Sequence, residues 1–158
     1  MASRYLIALG SNVRHRRFGP PRAVLRAAMA ALEREGLVIE ACSPVVETRP
    51  HGPSLRRYAN AAAVVATALD PDRLLARLKA LEQGFGRRRG RRWSARVLDL
   101  DIVLWEGGAW STRDLTIPHV AFRHRDFVLK PAAAVAGEWR DPVTGLTVRH
   151  LAERRYNF

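Results

Sequence analysis

The chain has 158 residues, 47% of them hydrophobic, and carries 27 Lys and Arg against 15 Asp and Glu for a net charge of +12. Such a length buries a substantial core in one domain, residues 1–158, and no apolar run approaches the ~20 residues that span a bilayer. Cys42 is the single cysteine, which excludes an internal disulfide and points to a reducing cytoplasm. The basic excess favours an anionic partner: nucleic acid, acidic lipid or a nucleotide triphosphate. Only Lys79 and Lys130 are lysine, and arginine, which supplies the rest, suits bidentate phosphate recognition.

Arg4 to Leu9 reads as a first strand, too short for a signal-peptide core and closed by a turn at Gly10-Ser11-Asn12. Those residues lack the spacing of a Walker loop or a dinucleotide fingerprint. Pro20-Pro21 opens a helix to about Glu35, with Gly36 as its stop and an apolar stripe of Leu25, Ala28, Met29 and Leu32. Leu37 to Thr48 is strand interrupted at Ser43-Pro44, and Cys42 within it reads as a small core residue. A loop through Pro50, Gly52 and Pro53 then leads to a strand over Tyr58 to Thr67. Tyr58 and Asn60 share a face of that strand, either as a satisfied core pair or as a ring and an amide for a flat heterocycle.

Asp70-Pro71 caps a second helix with Leu74, Leu75, Leu78 and Leu81 on its buried side, ending near Gly84. Between Gly86 and Arg96 lie Arg87, Arg88, Arg89, Arg91, Arg92 and Trp93. This basic run feeds a strand, Arg96 to Trp105, in which Asp99 and Asp101 alternate with Leu98, Leu100, Ile102 and Leu104. Alternation places both acids on one face with Val97, Val103 and Trp105, their Cα atoms about 7 Å apart. That spacing suits either a solvated strand face or one hard-cation site, and neighbouring arginines favour the ionised carboxylates. Glu106-Gly107-Gly108 turns the chain towards Ala109 to Ser111. Pro118-His119 leads into a short helix, followed closely by Arg125 and Phe127, with further helix expected beyond Pro131. Asp141 to Val148 reads as a hairpin around Thr144-Gly145. The order strand–helix–strand–strand–helix–strand is the split βαβ order and predicts an α+β fold, an antiparallel sheet with helices packed on it.

Four segments in the same order resemble the 6-hydroxymethyl-7,8-dihydropterin pyrophosphokinase family: Ile7-Ala8-Leu9-Gly10-Ser11-Asn12, Tyr58-Ala59-Asn60-Ala61-Ala62, Arg92 to Asp101, and Ile117-Pro118-His119. The resemblance implies a ferredoxin-like α-β sandwich. It also implies a cytoplasmic, monomeric enzyme of folate biosynthesis that moves pyrophosphate from ATP to the pterin hydroxymethyl group and releases AMP. Carried over by motif, Asp99 and Asp101 are metal ligands for two Mg²⁺ ions, and Arg87 and Arg96 neutralise the transferring group. Glu82, Arg89, Trp93, His119 and Arg125 surround ATP. Tyr58 and Phe127 sandwich the pterin, Asn60 bonds its edge, and Thr48, Arg49 and His51 contribute from the preceding loop. The resemblance gives no role to nucleic acid or membrane.

Three positions depart from the family pattern. Ser94-Ala95 stands where the family carries Gly-Pro, the loop between Thr48 and Asn60 is about a residue shorter, and Val120 replaces an aromatic after the histidine. A paralogue acting on a modified pterin fits the same motifs. The rival from another class is an RNA-binding module of the same βαβ order, whose aromatic signature Gly84-Phe85-Gly86 echoes. That signature needs its aromatic on a strand, and it leaves the two aspartates without a purpose.

Overall fold

The computed structural model describes residues 1–48, 57–86 and 97–156. The alternating segment near the N-terminus forms β1 (Ser3–Ser11). It runs through Gly10 and Ser11 because both are paired: Gly10 lies opposite Asn60 and Asp99, and Ser11 opposite Ala59. The expected turn at Gly10-Ser11-Asn12 therefore starts later, since ladder bonds on both sides outweigh the local turn preference.

The elements that follow are α1 (Pro21–Arg34), β2 (Val38–Cys42), β3 (Val46–Thr48), β4 (Tyr58–Thr67), α2 (Pro71–Gly84) and β5 (Asp99–Trp105). After them come β6 (Trp110–Ser111), β7 (Thr116–Ile117), a 3₁₀ turn (Phe122–His124), α3 (Asp126–Ala136) and α4 (Val148–Tyr156). The main sheet has the order β2-β4-β1-β5, with β3 also on β4, and all its pairings are antiparallel. Proline opens both α1 and α2 at a position where its missing N–H costs nothing, and the Asp70 carboxylate caps α2 by accepting from Arg73 N at 2.9 Å.

Alternation along the strands divides the interior in two. Tyr5, Ile7 and Leu9 meet Val24, Leu25, Ala28 and Leu32 of α1 and Leu74 and Leu78 of α2 on one side of the sheet. Leu6, Ala62 and Val64 meet Val128, Leu129 and Ala132 of α3 and Leu151 of α4 on the other. This is a sheet between two helical layers, the α+β sandwich that the element order predicts.

Four local features differ from the sequence reading. Along β5 the register with β1 slips after Ile102, so that Val103 is an extra residue. Leu104 then lies opposite Leu6 in the second core, and Trp105 opposite Tyr5 in the first, the reverse of strict alternation. Cys42 is exposed at the end of the outer strand β2, and is no core residue. Helix α3 begins at Asp126 and contains Pro131; its buried Val128, Leu129, Ala132 and Ala136 hold it across the missing donor. Finally, Asp141 to Val148 is a turn closed by one bridge, Arg140 to Thr147, and the chain continues as α4 where no helix was expected. Packing of Val148, Leu151 and Ala152 into the second core stabilises this short helix.

Replacing the capping residue, Asp70→Ala, leaves the Arg73 amide without its acceptor. The variant is expected to lose about 1 kcal/mol of unfolding free energy, read from the shift in urea midpoint at unchanged slope.

Candidate active site

Strand register alone brings several of the candidate residues together. Directly opposed residues in antiparallel strands share a face, and the pairs Val46–Asn60, Asn60–Gly10 and Gly10–Asp99 form one row across four strands. The next row along is Ala62–Ala8–Asp101, and Thr48 lies opposite Tyr58. Thr48, Tyr58, Asn60, Asp99 and Asp101 therefore all belong to the face on which α3 packs. Asn60 and Asp99 stand two strands apart, about 10 Å.

Gly10 is what keeps the space between them open. A Cβ there would sit 3.2 Å from Asn60 Oδ1 and 4.0 Å from Asp99 Cβ. Asn60 is 9% exposed, whereas Tyr58 is 39% and Phe127 46% exposed, large aromatic areas left to solvent on a well-packed protein. Phe127 stands in the first turn of α3, whose contacts with the sheet are to β4 and β1, on the side of the sheet that Tyr58 shares. The Arg125 guanidinium lies 5.6 Å from the Phe127 ring centre.

The acids are half-buried at the start of β5. Burial pushes the Asp101 carboxyl above the ordinary range, and the Asp99 charge adds to it; His119, Lys79 and Arg125 act in the opposite direction. These three groups thus lie within electrostatic reach of Asp101. His119 is fixed at both ends: its amide donates to Val103 O at 3.0 Å, and its Nδ1 accepts from Ala121 N at 3.2 Å. The proton of the neutral ring accordingly resides on Nε2.

Lys79 is the residue that sequence reading missed. It also holds Glu82, which is 0% exposed, through a 3.0 Å ion pair one helical turn along α2. The signal was present in the sequence as an i,i+3 pair of opposite charge facing the buried side of α2. Arg49, His51, Arg87, Arg89, Trp93 and Arg96 lie outside the described residues. Phe85, the aromatic of the RNA-binding echo, caps α2 and packs 5.2 Å from Phe18 and 6.0 Å from His15. It is 7% exposed and on no strand, so it offers no stacking platform for a base.

Two carboxylates forced together under partial burial form a donor set that a hard dication would satisfy. Among the described residues there is no group of three or more His, Cys, Asp or Glu side chains able to hold a metal. A hard dication held by Asp99 and Asp101 would have coordination positions left for water or for an oxygen-rich substrate, the habit of Mg²⁺.

The raised Asp101 value carries a stability consequence of definite sign. Folding favours the protonated acid, so its contribution is present below the unfolded value and is lost as pH rises through the folded one. Without divalent metal at neutral pH, Asp101→Asn is expected to raise the melting midpoint by a few degrees. Calorimetric scans of variant and wild type should converge as the pH falls towards 4, and a variant that melts lower at pH 7 would contradict the strain.

Comparison with known proteins agrees with the fold and with the family resemblance. The profile of the 7,8-dihydro-6-hydroxymethylpterin-pyrophosphokinase (HPPK) family matches residues 6–137. The 2-amino-4-hydroxy-6-hydroxymethyldihydropteridine pyrophosphokinase of Synechocystis is 37% identical over 150 residues, 94% of this chain and 74% of that one. Its Pseudomonas aeruginosa counterpart is 38% identical over 155 residues, 97% of this chain and 90% of the other. Among solved structures, Plasmodium falciparum HPPK-DHPS with pteroate superposes with a TM-score of 0.74 at 14% identity, over 98% of this chain and 42% of that chain. The last likeness concerns fold alone. On the match to its profile and on these relatives, the chain belongs to the HPPK family.

Proposed function

We propose that this protein, acting as one domain over residues 1–158, transfers pyrophosphate from ATP to the hydroxymethyl group of 6-hydroxymethyl-7,8-dihydropterin and releases AMP, a step of folate biosynthesis. The observation that carries the reading is the row Asn60–Gly10–Asp99, with an amide and aromatics at one end and two carboxylates at the other. A bicyclic heterocycle read at Asn60 spans the width of β1 and brings its substituent to the acids. Gly10 leaves room for it.

In this reading the pterin hydroxyl oxygen attacks the β-phosphorus of ATP. The bond from that phosphorus to the α,β-bridging oxygen breaks, AMP departs with the electron pair, and the hydroxyl proton passes to solvent. The protein's part is positioning and charge neutralisation more than covalent chemistry. Mg²⁺, when bound, would supply positive charge that offsets the phosphates. Asp99 and Asp101 hold it, and Arg87 and Arg96 neutralise charge on the transferring group. His119 offers its Nε2–H as a donor, and Arg125 its guanidinium, to ATP oxygens, with Glu82, Arg89 and Trp93 completing that side. Tyr58 and Phe127 sandwich the pterin ring, and Thr48, Arg49 and His51 contribute from the β3–β4 connection.

The same reading makes the enzyme a cytoplasmic monomer. Among the described residues, no helix is long and apolar enough to cross a membrane, and one cysteine needs no oxidising compartment.

Product analysis tests the reaction. Purified protein with Mg²⁺ and ATP is expected to release AMP in proportion to added 6-hydroxymethyl-7,8-dihydropterin and none without it; ADP in place of AMP would overturn the assignment. Asp101→Ala should abolish this turnover while the far-ultraviolet circular dichroism is unchanged.

Asn60→Ala should raise the KM for pterin roughly tenfold, as loss of a buried hydrogen-bonding group does. The KM for ATP should move by less than about twofold. Equal changes in both would count against an edge-reading role for the amide.

A further inference from the structure

The segment joining β7 to α3 bears His119, Arg125 and Phe127, yet its own hydrogen bonding is thin. Its 3₁₀ turn is closed by Phe122 N to His119 O at 3.3 Å, His124 N to Ala121 O at 3.2 Å and Arg125 N to Phe122 O at 3.3 Å. All three are at the long end of the normal range. Its backbone is tied more firmly at the ends, where His119 N meets Val103 O and the Arg125 carbonyl accepts from Val128 N and Leu129 N. Between them the segment carries Arg123, His124 and Arg125 in succession, so two guanidiniums compete for whatever anion is near.

One of the two is removed from that competition. Arg123 donates from Nε to Asp141 Oδ2 at 2.5 Å and from its terminal nitrogen to Oδ1 at 2.7 Å, a planar fork on a carboxylate that is 0% exposed. The other lone pairs of Asp141 are taken by Val143 N at 2.9 Å and Thr144 Oγ1 at 2.8 Å. The turn around it is closed by Asp141 N to Leu146 O and Gly145 N to Asp141 O. Burial acts to raise the Asp141 carboxyl, and the Arg123 fork, the Val143 amide and the Thr144 hydroxyl prevail, holding it at about 2. The Arg123 guanidinium also lies 4.8 Å from the ring centre of Phe122, which is 1% exposed in the second core. A rigid, fully satisfied carboxylate thus grips the middle of the segment from a turn that has no part in the catalytic face.

We propose that Asp141 is a positioning residue for ATP: through Arg123 it fixes the 119–125 segment, so that His119 and Arg125 are presented to the nucleotide without a rival guanidinium beside them. The proposal rests on the reading of His119 and Arg125 as ATP-binding residues. It assigns a function to a residue that touches no substrate and lies beyond the span matched by the family profile, residues 6–137. Asp141→Asn keeps the shape and removes the charge that holds the fork, and Arg123→Lys keeps the charge and removes the fork.

The test measures the Kd of Mg·ATP by calorimetry and the KM for pterin at saturating ATP, well below each variant's melting midpoint. Asp141→Asn should weaken Mg·ATP roughly tenfold, the scale of one broken buried charge pair spread over a shifted segment, and leave the KM for pterin within about twofold. Arg123→Lys, the milder change, should weaken Mg·ATP severalfold with the same selectivity, and decides the matter if Asp141→Asn does not fold. In an Arg125→Ala background Asp141→Asn should add much less than it does alone, because the group being positioned is gone. Unchanged Mg·ATP affinity, equal losses for both substrates, or full additivity in that background would overturn the proposal. Should Arg125→Ala by itself leave Mg·ATP affinity intact, the ATP-binding reading of Arg125 has failed, and the positioning role falls with it.

Discussion

The two hydrogen-bond ladders of β1 are the constraint on which everything else in this protein depends. They lock β4 and β5 to a common register, and because side chains alternate, that register alone places Asn60, Gly10 and Asp99 abreast on one face. A slip of one residue in either ladder would turn the amide or the acids into the opposite core. The register is in turn held by burial: Tyr5, Ile7 and Leu9 find partners on one side and Leu6 on the other. The cores therefore act on the chemistry through the sheet, with no contact to a substrate.

Charge gives the second level of organisation. The chain is strongly basic, yet β5 carries two acids, and burial with mutual repulsion leaves Asp101 reluctant to ionise. Lys79, His119 and Arg125 relieve this in part from three different elements. Among the described residues this compensation is partial, which suits the dication and phosphates of the proposed reaction. Elsewhere the same rule is met internally, as at Asp141, where one arginine and two further donors saturate a buried carboxylate.

Much of this was legible in the sequence. Alternation and turn residues located β4, α1 and α2 almost to the residue and the middle of β1, and Asp-Leu-Asp entering an apolar strand marked the face that carries the acids. What escaped it has physical reasons. The extra residue Val103 in β5 is decided by pairing with β1, and no local preference announces it. Gly10 and Ser11 look like turn formers and are strand because two neighbours bind them. Helix α4 has a weak pattern of its own and exists through contact with α3, and the Asp141 turn looked like a hairpin because Thr144-Gly145 reads the same in either setting. The arginine run and the loop bearing Arg49 and His51 are legible as sequence, and they lie outside the described residues.

Strand β5 terminates the main sheet among the described residues, with β1 on one side and the opposite ladder edge met by a single backbone bond from His119 to Val103. Outermost strands rich in leucine, isoleucine and valine recruit strands from other molecules, and proteins commonly place charges there to prevent it. Asp99 and Asp101 sit in just such a stretch, between Leu98 and Ile102. The carboxylates that bind metal in the proposed reaction thus also guard an open edge, two like charges that any second copy aligning along β5 would have to bring against its own. Exchanging both for apolar residues would relieve the repulsion at Asp101 and at the same time remove the charges that oppose such pairing.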